Sequence, residues 1–93
     1  MARTGTSVSA TTTAANVAVT GPVTYALHIK CQSGSSVAVR INIPNLHGDD
    51  YGLPIQPGES QVYRCTMGIE EFNHKTDSGT GTFDWEVVEG RAE

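Results

Sequence analysis

Ten consecutive residues, Val23 to Gln32, hold a strict alternation: Val23, Tyr25, Leu27, Ile29 and Cys31 share one parity, and Thr24, Ala26, His28, Lys30 and Gln32 the other. A period of two is that of a pleated strand, whose side chains point to alternate faces, and it does not fit a helix of 3.6 residues per turn. Ser36 to Ile43 repeats the pattern with Val37, Val39, Ile41 and Ile43 on the apolar parity. Ser33-Gly34-Ser35 stands between them and has the composition of a tight turn. The two runs are therefore expected to form an antiparallel hairpin.

The second constraint is Gly52-Leu53-Pro54-Ile55-Gln56-Pro57-Gly58-Glu59. Proline fixes φ and removes an amide donor, so neither a helix nor a central strand runs through this segment. Pro57-Gly58 reads as a turn, entered by an extended rim piece in which Leu53 and Ile55 alternate with Pro54 and Gln56. Pro44 to Gly52 is a polar loop that also contains Asn45, His47, Asp49, Asp50 and Tyr51.

Further strands are expected at Asn16–Thr20, stopped by Gly21-Pro22, and at Ser60–Met67, with Tyr63, Cys65 and Met67 facing inward. A last strand at Thr82–Val88 turns Phe83, Trp85 and Val87 inward and Asp84 and Glu86 outward. Gly68 has the look of a bulge. Ile69 to Thr76 fits either a helical turn or an irregular strand, since Ile69 and Phe72 are three apart. Six to seven short, mainly antiparallel strands with regular turns describe an all-β chain, a small sandwich or barrel. Ninety-three residues make one such domain, with a thin core that buries roughly 60–65% of the unfolded surface.

Residues 1–15 are Thr-, Ser- and Ala-rich with almost no large side chain. Such a stretch cannot bury enough apolar area to offset its ordering entropy. It is expected to be an extended N-terminal arm, flexible or clamped by a neighbouring subunit, with the β domain at residues 16–93. Threonine favours strands and proline is absent from the arm, so addition to an exposed sheet edge is open to it.

The net charge is −4, which argues against a general nucleic-acid binder. The distribution is uneven. Residues 1–48 hold Arg3, Lys30 and Arg40 and no acid, whereas residues 49–93 hold all ten acids and three bases, a balance of −7. In a sandwich the two halves interleave, so this need not create opposite faces; the alternative is a polar head-to-tail contact in an assembly. No run of about 18 apolar residues occurs, so no membrane span is expected. The first residues lack an apolar stretch of the kind a secretory leader carries. Cys31 and Cys65 are 34 apart, unlike the close pairs of zinc sites. Both fall on apolar parity, as buried thiols would; a cross-strand disulfide is the alternative, disfavoured by a cytoplasmic origin.

No constellation points to catalysis. His47, Asp49 and Asp50 share a loop, but lack the spacing and closing glutamate of a calcium loop. Glu71-Phe72-Asn73-His74 has the E-x-x-H form of di-iron bundles, which need two such motifs on facing helices. Cys65, Met67 and His74 do not follow the ligand order of a blue-copper site. Asp77-Ser78-Gly79-Thr80 gives a single aspartate where a dyad needs two. The expectation is a non-enzymatic protein with no catalytic residue, no cofactor and no metal. Tyr51 with Asn45, His47, Asp49 and Asp50 forms the one polar-aromatic grouping suited to a sugar or protein partner, and Arg3 is a further candidate contact.

The order of parts resembles small bacteriophage virion structural proteins, among them capsid decoration (cement) proteins. The matching parts are Thr11-Thr12-Thr13-Ala14-Ala15, the aliphatic run from Tyr25 to Ile43, the Gly52–Glu59 turn, and Thr80 to Glu89. Together they cover most of the chain. The long Pro44–Tyr51 loop and the cysteine pair depart from the pattern. The resemblance implies virion assembly in a host cytoplasm and residence in the virion. Its implied partners are the major capsid protein or other virion proteins, in a homo-oligomer for which a trimer is one form. A carbohydrate- or receptor-binding module of a tail or fibre is the alternative.

Overall fold

The computed structural model describes residues 4–19 and 23–91. In chain order these form β1 (Thr4–Ala10), β2 (Ala15–Ala18), β3 (Val23–Cys31), β4 (Arg40–Asn42), α1 (Pro44–His47), β5 (Ser60–Arg64), β6 (Glu71–Lys75) and β7 (Gly81–Arg91). Two antiparallel sheets result, one in the order β1-β7-β3-β5 and the other β2-β6-β4. The chain is an all-β, two-sheet sandwich.

The core lies between the sheets. Leu27, Ile29, Cys31, Phe83 and Trp85 come from the larger sheet, and Ile41 and Phe72 from the smaller one. Phe72 bridges the layers, with its ring 5.3 Å from Trp85 and 6.2 Å from Phe83, edge to face in both cases. Such T-shaped contacts add to the stabilisation from area burial. Val39, Ile43, Ile55, Ile69 and Cys65 close the ends of the core. Cys31 and Cys65 are both buried and are not joined in a disulfide.

The Val23–Gln32 and Ser36–Ile43 runs are not a hairpin. β3 has β7 on one edge and β5 on the other, so no edge remains for β4, which pairs with β6 in the opposite sheet. The Ser33–Ser35 turn begins a crossing between layers, with Val37 O accepting from Cys31 Sγ at 3.7 Å. A short polar turn shows where the chain bends and leaves open which layer it bends into. Within β3 the alternation also slips: the pairing with β7 is irregular between Thr24 and Leu27, and Thr24 and Ala26 are buried. The Ile69–Thr76 ambiguity resolves as strand β6, and the Pro44–Gly52 loop begins with one helical turn, Pro44 occupying its first position.

Met67, expected inside, is 81% exposed. β5 ends at Arg64, and a turn closed by Gly68 N–H to Cys65 O (3.1 Å) swings residue 67 outward. Gly68 takes φ of 90°, which glycine adopts without strain. The turn leaves Cys65 and Ile69 buried on either side of it.

Part of the stretch expected to be an arm is strand. Thr4–Ala10 is strand β1, paired with β7 in the registers Gly5↔Trp85, Val8↔Phe83 and Ala10↔Gly81, and Ala10 is fully buried. A ladder of main-chain hydrogen bonds does not need large side chains, so poverty in apolar residues did not keep this segment off the sheet. Gly5 is required by the pairing: a Cβ there would collide with Trp85 Nε1 and lie 2.7 Å from its Cδ1. A bulge follows between Gly5 and Val8, with Ser7 at φ 53°. Asp84 Oδ1 holds it, accepting from Ser7 N–H and Gln32 Nε2, both at 2.8 Å. These two donors lower the Asp84 carboxyl pKa below its ordinary value. Arg3 and the Gly21-Pro22 stop lie outside the described residues.

Candidate functional site

The concavity that gathers the most recognition-competent side chains lies at the mouth of the sandwich, between β5 and the segment from Tyr51 to Ile55. It has a volume of about 370 Å³ and is lined by His47, Tyr51, Leu53, Glu59, Gln61 and Tyr63 among others. One wall comes from Glu59 and from β5, whose Gln61 and Tyr63 continue its parity. The other comes from the proline-glycine segment, and the floor from α1.

Buried polar anchors fix the second wall. Asn42 is 3% exposed; its Nδ2 donates to Gly48 O (2.9 Å) and Asp50 O (2.6 Å), and its Oδ1 accepts from Asn73 Nδ2 at 3.0 Å. A buried amide with its donors and acceptor satisfied rigidifies the loop around it. Ile55 and Val39 exchange main-chain hydrogen bonds of 2.8 and 3.0 Å, tying the rim to the strand side of β4. Arg40 bonds both Asp77 carboxylate oxygens through Nε (2.9 and 3.0 Å) and Gly52 O through a terminal nitrogen at 2.5 Å. The Arg40 contact holds the Asp77 carboxyl below its usual pKa.

The rings are oriented too. His47 Nδ1 accepts from Ile43 N–H at 3.2 Å, so in the neutral ring the proton sits on Nε2. Its ring meets Tyr63 edge to face at 5.6 Å. Partial burial raises the Tyr63 pKa to about 12, so its hydroxyl stays a neutral donor at ordinary pH. Lys75 Nζ stands 4.6 Å from the Tyr51 ring centroid, a cation–π contact that holds that ring.

Of the residues singled out in the sequence, the structure brings His47 and Tyr51 together at the groove. Asp49 and Asp50 are exposed, on the turn that follows α1, and do not line it. Asn45 lies in α1, its side chain outside the described residues. Glu59, Gln61 and Tyr63 were missed, although their i, i+2, i+4 spacing directly after Pro57-Gly58 was the available signal. Glu71 and His74 fall on opposite faces of β6, one exposed and one buried, because a spacing of three is odd in a strand. Chemically, the groove offers aromatic edges, a planar amide and one carboxylate.

Comparison of the chain with protein-family models, curated proteins and solved structures finds no match.

Proposed function

We propose that this chain is a non-enzymatic structural protein of a virion, an oligomeric decoration protein that stabilises a phage capsid shell assembled in the host cytoplasm. The observation that carries the reading is Leu53. Its side chain is 88% exposed on a segment pinned at Gly52 by Arg40 and at Ile55 by the Val39 bridge. A large aliphatic residue on a rigid mount loses little conformational entropy when a partner covers it. Covering it contributes about 1.5–3 kcal/mol. On a lattice of many identical sites, oligomer avidity multiplies so small a contact.

The test is sedimentation of the purified chain with empty phage shells, wild type against Leu53→Asp. Saturable binding weakened about 10- to 100-fold per site by the variant supports the reading. A chain that stays in the supernatant overturns it. A second reading, a carbohydrate- or receptor-binding module of a tail or fibre, is favoured by the groove. There the His47, Tyr51 and Tyr63 rings stand beside the planar Gln61 amide and the Glu59 carboxylate. A glycan array that returns specific binding, lost in Tyr63→Ala, selects this reading instead.

A further inference from the structure

We propose that the free edge of β5 is a self-association edge, through which two copies of this chain pair about a two-fold axis centred on Val62. The argument begins with how the sheet edges are protected. An unpaired strand edge templates addition of another chain, and monomeric proteins block it with bulges, prolines, charges or covering segments. β1 carries the Ser7 bulge. The outer side of β4 is met by the Val39–Ile55 bridge. β2 is four residues long.

β5 is short, but it carries neither bulge nor proline, and its one charge, Arg64, stands at its last position. Its five residues, Ser-Gln-Val-Tyr-Arg, run in unbroken register with β3, without proline or bulge. Glu59 O and Cys65 N–H bond back to β3. In an antiparallel ladder, Gln61 and Tyr63, between them, therefore direct their main-chain groups inward, and Ser60 and Val62 direct theirs outward. Both are exposed, Val62 to 42%.

The occupant is a second copy because the strand is complementary to itself. Pairing centred on Val62 sets Val62 against the partner copy's Val62, a β-branched cross-strand pair. It sets Gln61 against Tyr63, and Ser60 against Arg64. β5 carries no acid and one base, so the contact avoids the repulsion that a chain of net charge −4 otherwise meets on self-association. The two arginines end four residues apart along the strand. That is about 13 Å, beyond the ~8 Å screening length at physiological salt. Lys30, the next base across the sheet, is opposite Asp84. The product is one continuous sheet in the order β1-β7-β3-β5-β5-β3-β7-β1. The groove of each copy then lies beside the seam, since Gln61 and Tyr63 belong to both.

Self-association is a property of the isolated chain, so it stands or falls apart from the shell reading. The experiment is sedimentation equilibrium of the full chain from ~10 to ~500 µM. That range brackets the dissociation constant expected of an interface at the small end of the specific range. Proline at position 62 removes only an outward amide, which an edge strand tolerates. Val62→Pro is therefore the first variant, with Val62→Lys as the second should the first fail to fold. A wild-type dimer whose dissociation constant rises roughly tenfold or more in the folded variant supports the proposal. So does concentration-dependent protection of the Val62 amide from hydrogen exchange. A wild type that stays monomeric to ~500 µM, a trimer, or a dimer unaffected by both variants overturns it.

Discussion

Gly5→Ala tests the placement of β1 with a single methyl group. Gly5 pairs with Trp85, and an added Cβ would overlap the indole Nε1 and lie 2.7 and 3.1 Å from Cδ1 and Cε2. The indole is 4% exposed and also meets the Phe72 ring at 5.3 Å, so a shift away from the added methyl disturbs core packing. Overpacking of this kind costs about 1–3 kcal/mol. For a domain of this length that is a fall of roughly 5–20 °C in Tm. If β1 lifts away instead, the cost is the β1–β7 ladder and the burial of Ala10.

The readout is direct because Trp85 is the only tryptophan. Its emission reports the indole environment without interference. The wild type is expected to emit as a buried indole. Gly5→Ala is expected to shift that emission to longer wavelength and lower the denaturation midpoint. Deleting residues 1–10 supplies the limit in which the strand is gone. A Gly5→Ala protein with unchanged emission and midpoint would refute the pairing and restore residues 1–15 as an arm outside the sheet.

Other outcomes follow from buried groups. His74 is 4% exposed, its Nδ1 has no hydrogen-bond partner, and its ring meets Phe83 at 4.9 Å, so burial lowers its pKa. A lowered folded-state pKa means the unfolded chain binds the proton first, so stability present above about pH 6.5 is lost as pH falls below it. Urea midpoints between pH 7.5 and 5.5 should decline in the wild type and decline less in His74→Leu; parallel slopes would defeat this. Tyr63, with its pKa at about 12, has the opposite sign. Its contribution is complete below the unfolded value near 10 and lost as pH rises toward 12, about 1–2 kcal/mol after solvent screening. Absorbance titration at ~295 nm, wild type against Tyr63→Phe, should remove a phenol that ionises well above 10. Cys31 and Cys65 should react with a thiol reagent only after denaturation; one thiol titrating in the native state would mean its end of the core is open.

The strands were legible wherever burial forced alternation, as in Leu27, Ile29 and Cys31 and in Phe83, Trp85 and Val87. Alternation gives each strand its faces and says nothing about its neighbours. That is why the Ser33–Ser35 turn misled: a hairpin and a crossing between sheets use the same polar residues. β1 was illegible because its contribution is main-chain pairing plus one absent side chain, Gly5, and an absence leaves no periodic signal. Met67 kept the inward parity of Tyr63 and Cys65 until a turn of three residues broke the strand. At the candidate site, His47 and Tyr51 were visible as a polar-aromatic loop. Glu59, Gln61 and Tyr63 were read only as a strand face, because their role depends on which segment lies opposite them in space.

Part of the uneven charge along the chain is paired within the fold. Of the bases in the first half, Lys30 is opposite Asp84 across β3 and β7, and Arg40 grips Asp77 in a two-oxygen contact. His28 Nδ1 lies 3.4 Å from Glu86. Each pairs a residue from the acid-free half with one from the acidic half, as interleaved strands require. A head-to-tail contact would need one copy's basic end to meet another's acidic end. A two-fold contact makes no such demand, because the same patch faces itself and needs only to be free of like charge at its centre. Val62 lies at such a place, between a serine and an arginine with no acid in the strand. Asp49 and Asp50 are exposed away from this strand, on the turn after α1, so their charge does not bear on a contact centred there.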